Sequence, residues 1–104
     1  MYLPKKYKNF STTFPDVFKD FKQLGITCRD AGPLDEKVQN LVKLGIAAGA
    51  NSRGAVMSNT RKALDSGATP EEIYHVVLLS LTTTGFPNMI SALAWVEEVL
   101  RKQG

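Results

Sequence analysis

The sequence holds one cysteine, Cys28, and one histidine, His75, in 104 residues. A single cysteine excludes an intrachain disulfide. No second Cys and no His stands near it in the chain to lower its pKa or to resolve an oxidised form. A passive thiol is the plain reading of Cys28. No apolar run approaches the ~18–20 residues that a membrane span needs, so no membrane partner is expected. The opening MYLPKKYKNF lacks the hydrophobic stretch of a secretory signal. These absences point to a reducing, cytoplasmic setting. Neither G-x-G-x-x-G nor G-x-x-x-x-G-K-S/T is present, so no phosphate-cradling loop of those kinds is expected. Strand alternation and repeats of fixed period are missing as well. Nothing in the residues requires a metal or a cofactor.

What is present is ordinary for one globular domain spanning 1–104. Hydrophobic residues make up 43% and charged ones 22%. A chain of this size buries roughly two-thirds of its unfolded surface, enough for one core with a thin margin. The net charge of +3 comes partly from Lys5, Lys6 and Lys8 and from Arg101 and Lys102, near the two ends. No aromatic-and-basic motif accompanies it, so no nucleic-acid partner is expected.

Residues 1–13 carry few core signals. Tyr2, Leu3 and Phe10 either pack on a neighbour or belong to a loose arm. Phe14, Val17, Phe18, Phe21 and Leu24 then follow helical spacing, with Pro15 in the first turn and Gly25 as the stop. Ile26–Pro33 reads as a connector. Asp35 is a good N-cap for a helix from about Glu36 to Ala50, with Val38, Leu41, Val42 and Ile46 as its inner face. The small-residue run GIAAGA at its end predicts close approach of a neighbouring backbone. A central helix is entered through Asn51–Ser52 and left at Gly67, the left-handed terminator. Ala55, Val56, Asn59 and Ala63 share one side of it.

Thr69-Pro70-Glu71-Glu72 combines an N-cap, proline at N1 and glutamate at N3, the capping box. From Val76 to Leu81 only Ser80 is polar. A helix apolar all round is buried on several sides or lies in an oligomer interface. Thr82–Thr84 weakens it and Gly85-Phe86-Pro87 breaks it. A last helix runs from about Asn88 to Arg101, with Met89, Leu93, Val96 and Leu100 in one stripe. The class is all-α.

Three runs, FPDVFKDFKQL, LDEKVQNLVKLGIAAG and TRKALDSGATPEEIYHVVLLSLTTTGFPNMISAL, resemble the carboxymuconolactone decarboxylase family, which includes the alkylhydroperoxidase D-like proteins. The resemblance covers Phe14 to about Val96. Its most specific part is GATPEEI with the apolar helix and GFP break after it. It implies an alkylhydroperoxidase D-like subunit of about five to six helices that assembles with copies of itself into a trimer or hexamer.

The family's hydroperoxidase branch places a C-x-x-C at the start of the central helix, a histidine one turn later and a glutamate on the preceding helix. Counting back from GAT, those positions fall here on Ser52, Ala55, Asn59 and Asn40. None of these residues titrates near neutral pH, and serine cannot enter a thiol–disulfide cycle. The decarboxylase branch places histidines at the Asn59 position and at Leu79, and both are missing. The resemblance therefore implies peroxidase or decarboxylase activity whose acid, base and sulfur this chain lacks.

What remains at the matching place is Asn40, Ser52, Asn59 and Arg53: neutral donors and acceptors, one cation and a helix N-terminus. They read either as a site for a small carboxylate or phosphate-bearing molecule, or as a cap (Ser52) and a solvated side chain (Arg53). His75, four residues after Glu71, reads either as half of a surface ion pair or as a general acid–base of an enzyme using non-thiol residues. A third reading is a structural or partner-binding oligomer.

Overall fold

The computed structural model of the chain describes residues 5–103, with side-chain surroundings from Lys8 to Lys102. Tyr2 and Leu3 lie outside the described residues. The described chain is helical throughout, with six helices of nine residues or more and one single turn: α1 Lys5–Thr13, α2 Pro15–Asp30, α3 Glu36–Gly49, α4 Arg53–Asp65, α5 Pro70–Leu78, the turn α6 Leu81–Thr84, and α7 Phe86–Gln103. It divides between Pro33 and Leu34 into two compact units.

In the first unit α1 packs on α2. The Phe10 ring lies 6.1 Å from that of Phe14 and 6.0 Å from that of Phe18, the latter edge-on, an arrangement aromatic rings favour. Pro15 sits in the first turn of α2, as its fixed φ predicts. The expectation of a stop at Gly25 is overturned: α2 continues through Gly25 to Asp30. A glycine ends a helix when it adopts positive φ, and Gly25 does not; positive φ occurs at Asn51, Gly67 and Gly85. A helical Gly25 costs about 1 kcal/mol relative to alanine, less than a break would forfeit in backbone hydrogen bonds. Cys28 accordingly lies in a helix and not in a connector, and it is exposed.

In the second unit α4 packs against α3 and α7, and α5 packs against α3 and α7. The core is Leu44, Ala47, Ala48, Val56, Ala63, Ala68, Ile73, Val77, Met89, Ala92, Val96 and Val99. Many are alanines, so the helices stand close and each buried side chain adds little area. The expected inner face of α3 is a second correction. Its buried residues are Asn40, Leu44, Ala47 and Ala48, while Val38, Val42 and Ile46 face outward. The larger side chains drew the sequence reading to one side of α3; the small ones on the other side let α4 approach. Close approach at Gly45 and Gly49 is to the side chains of Val76 and Thr84, at ordinary contact distance, and not to a backbone.

The helix ends match the sequence more closely. Asp35 Oδ1 accepts from the Val38 N–H at 2.9 Å. At the end of α4 the Gly67 N–H donates to Leu64 and the Ala68 N–H to Ala63, the paired bonds of a Schellman motif around a glycine of φ 96°. The capping box of α5 is complete, Thr69 accepting from the Glu72 N–H and Glu72 from the Thr69 N–H. Lys37 Nζ adds a 2.9 Å contact to Glu72, joining the starts of α3 and α5. Gly85, at φ 101°, separates α6 from α7, and α7 begins at Phe86, two residues before the sequence predicts. Asn88 fastens that start by donating to the Ala48 carbonyl at 2.9 Å and to Thr84 Oγ1 at 2.8 Å. No described helix is long and apolar enough to cross a membrane.

The Thr69 N–H bond and Lys37 together hold the Glu72 carboxylate below its ordinary pKa of 4.5. A carboxylate depressed by folding stabilises the fold above its unfolded pKa, and that contribution disappears as pH falls through the folded value. Thr69→Ala should cost about 1 kcal/mol in urea unfolding, or roughly 4–8 °C in melting temperature. Glu72→Gln should flatten the loss of stability that the parent chain shows as pH is lowered below 4.5; an unchanged acid limb would refute the assignment to Glu72.

Candidate functional site

The start of α4 is where the sequence places its chemistry. The α3–α4 turn puts Asn51 at φ 54°, a conformation asparagine tolerates better than most residues. Ser52 is next, as N-cap, but its side chain makes no cap hydrogen bond. The capping reading of Ser52 is thus corrected: its hydroxyl is exposed and uncommitted to the helix.

Arg53 is solvent-exposed, and it has an anionic partner. Its Nη2 lies 3.1 and 3.0 Å from the two carboxylate oxygens of Glu98 on α7. The guanidinium holds the Glu98 carboxyl below its ordinary value. The pair is exposed, so it is worth little in stability. Its importance is that the one cation of this helix end already has an anion beside it.

Asn59 is buried on α4, nearly two turns inside the helix. Its Nδ2 donates to the Ala55 carbonyl at 2.9 Å. Its Oδ1 is buried with no protein hydrogen-bond partner among the described residues. Leaving a buried acceptor unmet costs about 1–3 kcal/mol. Thr60 beside it has no such debt, because its hydroxyl donates to the Val56 carbonyl at 2.7 Å.

Asn40, 2% exposed, points to the far end of α4. Its Nδ2 donates to the Lys62 carbonyl at 3.2 Å and to Ser66 Oγ at 3.0 Å. Ser66 in turn donates to the Lys62 and Ala63 carbonyls. At 1.5 Å per residue, those partners stand roughly 15 Å along the α4 axis from Arg53. The structure therefore joins Ser52 and Arg53 at one end of α4, seats Asn59 within its packed face, and uses Asn40 as a polar tie at the other end.

His75 is elsewhere again. It lies on α5, exposed, at the rim of a groove of about 450 Å³ formed with α7 and lined by Glu71, Tyr74, Leu78, Met89 and Leu93. Among the described residues no ion pair joins it to Glu71. From the groove floor at Met89 and Leu93 to Glu98, the Arg53 partner, is roughly 10 Å along α7. His75 and Arg53 are not presented to one small substrate. Among the described residues no group of three His, Cys, Asp or Glu side chains is placed to hold a metal.

Sequence reasoning missed Glu98, Ser66 and the groove. The Arg53–Glu98 and Asn40–Ser66 pairs join residues far apart in the chain, and no local pattern announces either. The groove had a signal, the apolar excess of α5, but not its position.

The sequence profile of the carboxymuconolactone decarboxylase family matches residues 15–98. The uncharacterized protein MJ0742 of Methanocaldococcus jannaschii is 30% identical over 83% of this chain and 84% of its own length. The uncharacterized protein MJ1511 of the same organism is 39% identical over 67% of this chain, and the match spans 65% of that relative's length. The crystal structure of apo-lpg0406, a carboxymuconolactone decarboxylase family protein from Legionella pneumophila, superposes with a TM-score of 0.82 at 20% identity, covering 92% of this chain and 86% of that one. That likeness is one of fold.

The two asparagines should separate in mutagenesis. Asn40→Leu removes a satisfied tie and is expected to cost about 1–3 kcal/mol. Asn59→Leu removes an unmet acceptor and should leave stability within about 1 kcal/mol of the parent or raise it. Urea unfolding of both variants checks this, and equal losses would contradict the contrast.

Proposed function

The chain belongs to the carboxymuconolactone decarboxylase family, and from that premise we propose that it is a non-redox member, acting as a homo-oligomer, trimer or hexamer. The observation that carries the reading is the occupancy of the start of α4. Ser52 and Ala55 stand at the positions the family pattern gives to its cysteine pair, and Asn59 at that of its histidine. Asn59 has its amide N–H bound to Ala55 and carries no proton that titrates near neutrality. Cys28, exposed on α2, has no second cysteine in the chain with which to cycle. The large apolar side chains left outside the core of the single chain support assembly.

The small-anion reading of the same helix end requires one change. A carboxylate or phosphate arriving at Ser52 and Arg53 has to compete with Glu98 for the guanidinium. Enzymatic turnover by His75 would have to occur in the α5–α7 groove and not with Arg53.

Purified protein given an organic hydroperoxide and a dithiol reductant should show no turnover above the uncatalysed rate, and Cys28→Ser should not alter that. Robust turnover that survives Cys28→Ser would overturn the non-redox reading. If the helix end binds anions, Glu98→Gln should lower the phosphate concentration needed for a given thermal shift by several-fold, and Ser52→Ala with Arg53→Ala should abolish the shift. No phosphate shift in either the parent or Glu98→Gln would remove the anion site.

A further inference from the structure

Resting on the homo-oligomeric reading above, we infer that helix α2 of one copy lies in the α5–α7 groove of the next. No residue of α2 is buried. Phe14, Val17, Phe21 and Leu24 are each 55–59% exposed and recur at alternating spacings of three and four. That is the anchor pattern by which an amphipathic helix fills a groove between two others.

The groove has the complementary form. Met89 and Leu93 make its floor and Tyr74 and Leu78 its α5 wall. Leu78 is half exposed, and Phe86 and Ile90 extend uncovered apolar surface along α7 at helical spacing from the floor. Its polar lining, Glu71, the Tyr74 hydroxyl and His75, is all on α5, along one edge. A site for a small polar molecule surrounds its ligand with converging polar groups; this groove does not, and an apolar helix face suits it better.

The areas decide how the contact must be used. Stripe and groove together leave on the order of 600 Å² of apolar surface uncovered. A single such contact falls short of the ~1,200 Å² of a specific interface. Every copy, however, both offers a helix and presents a groove. A reciprocal pair therefore doubles the contact between the same two copies to roughly that threshold, and a closed ring gives each subunit two such contacts.

The test uses the full chain in a Cys28→Ser background, which removes the exposed thiol. Phe21→Cys chains are mixed with Leu78→Cys chains and treated with a short bismaleimide, and the parent's mass is measured by light scattering. The expected results are a parent mass that is a multiple of 11.4 kDa and a cross-linked species containing one chain of each kind. Phe21→Cys mixed with Ile46→Cys, which lies on the outer face of α3, should give none. Leu78→Asp should lower the mass toward that of one chain with helical circular dichroism unchanged. An oligomer without the Phe21–Leu78 cross-link would overturn this inference and leave the oligomeric reading standing. A cross-link only within a chain that carries both cysteines would show α2 covering its own groove, and would overturn it too. A parent of 11.4 kDa would sink the oligomeric reading itself.

Discussion

The second unit depends on how closely α4 can approach α3. Ala47 and Ala48 are buried on α3, and Val56, Asn59, Thr60 and Ala63 are buried on α4, which packs against it. Small side chains bring backbones together, and the dispersion gained then comes from many near contacts and not from large buried residues. The Asn40 tie to Lys62 and Ser66 closes the same interface at its far end. A larger residue at Ala47 or Ala48 would force α4 outward and carry Ser52, Arg53 and the Glu98 contact with it.

This packing limits what position 59 of α4 can hold. A side chain at position 59 projects into a close-packed face. A histidine there would have a buried ring needing partners on both nitrogens. Asparagine is smaller and settles one of its two polar ends on the Ala55 carbonyl, leaving the other unmet. The unmet oxygen is a cost the fold tolerates, and buried polar groups of that kind mark places where packing has not been optimised for stability alone.

How much of this the sequence disclosed depended on the range of the interaction. Asp35, Thr69 with Glu72, and Gly67 act within a few residues, and the chain places all of them as read. Gly25 misled because a glycine is compatible with a helix interior at modest cost; only its φ decides whether it terminates, and here the helix continues through it to Asp30. The face of α3 was misread for a tertiary reason. Apolar bulk favoured Val38, Val42 and Ile46, but α4 selects the smooth face that carries Ala47 and Ala48. Arg53 was recognised as a cation, while Glu98, far along the chain, could not be assigned to it. Periodicity reports that a helix has an apolar side; it does not report which neighbour arrives, or whether the neighbour belongs to the same chain.

That last ambiguity also governs what a short chain can be. Burial here is concentrated in alanines and valines, whereas Phe14, Phe21, Leu24, Ile46, Leu78, Leu79 and Phe86 are more than half exposed. Burying one such side chain fully contributes about 1.5–3 kcal/mol relative to leaving it in water. Withholding several of them is a large fraction of the roughly 5–15 kcal/mol by which domains are stable. A chain of this size has a thin margin from its own core. Its largest apolar groups would therefore contribute most where a second surface covers them, and in the assembly proposed above the stability of one copy would be linked to the presence of others.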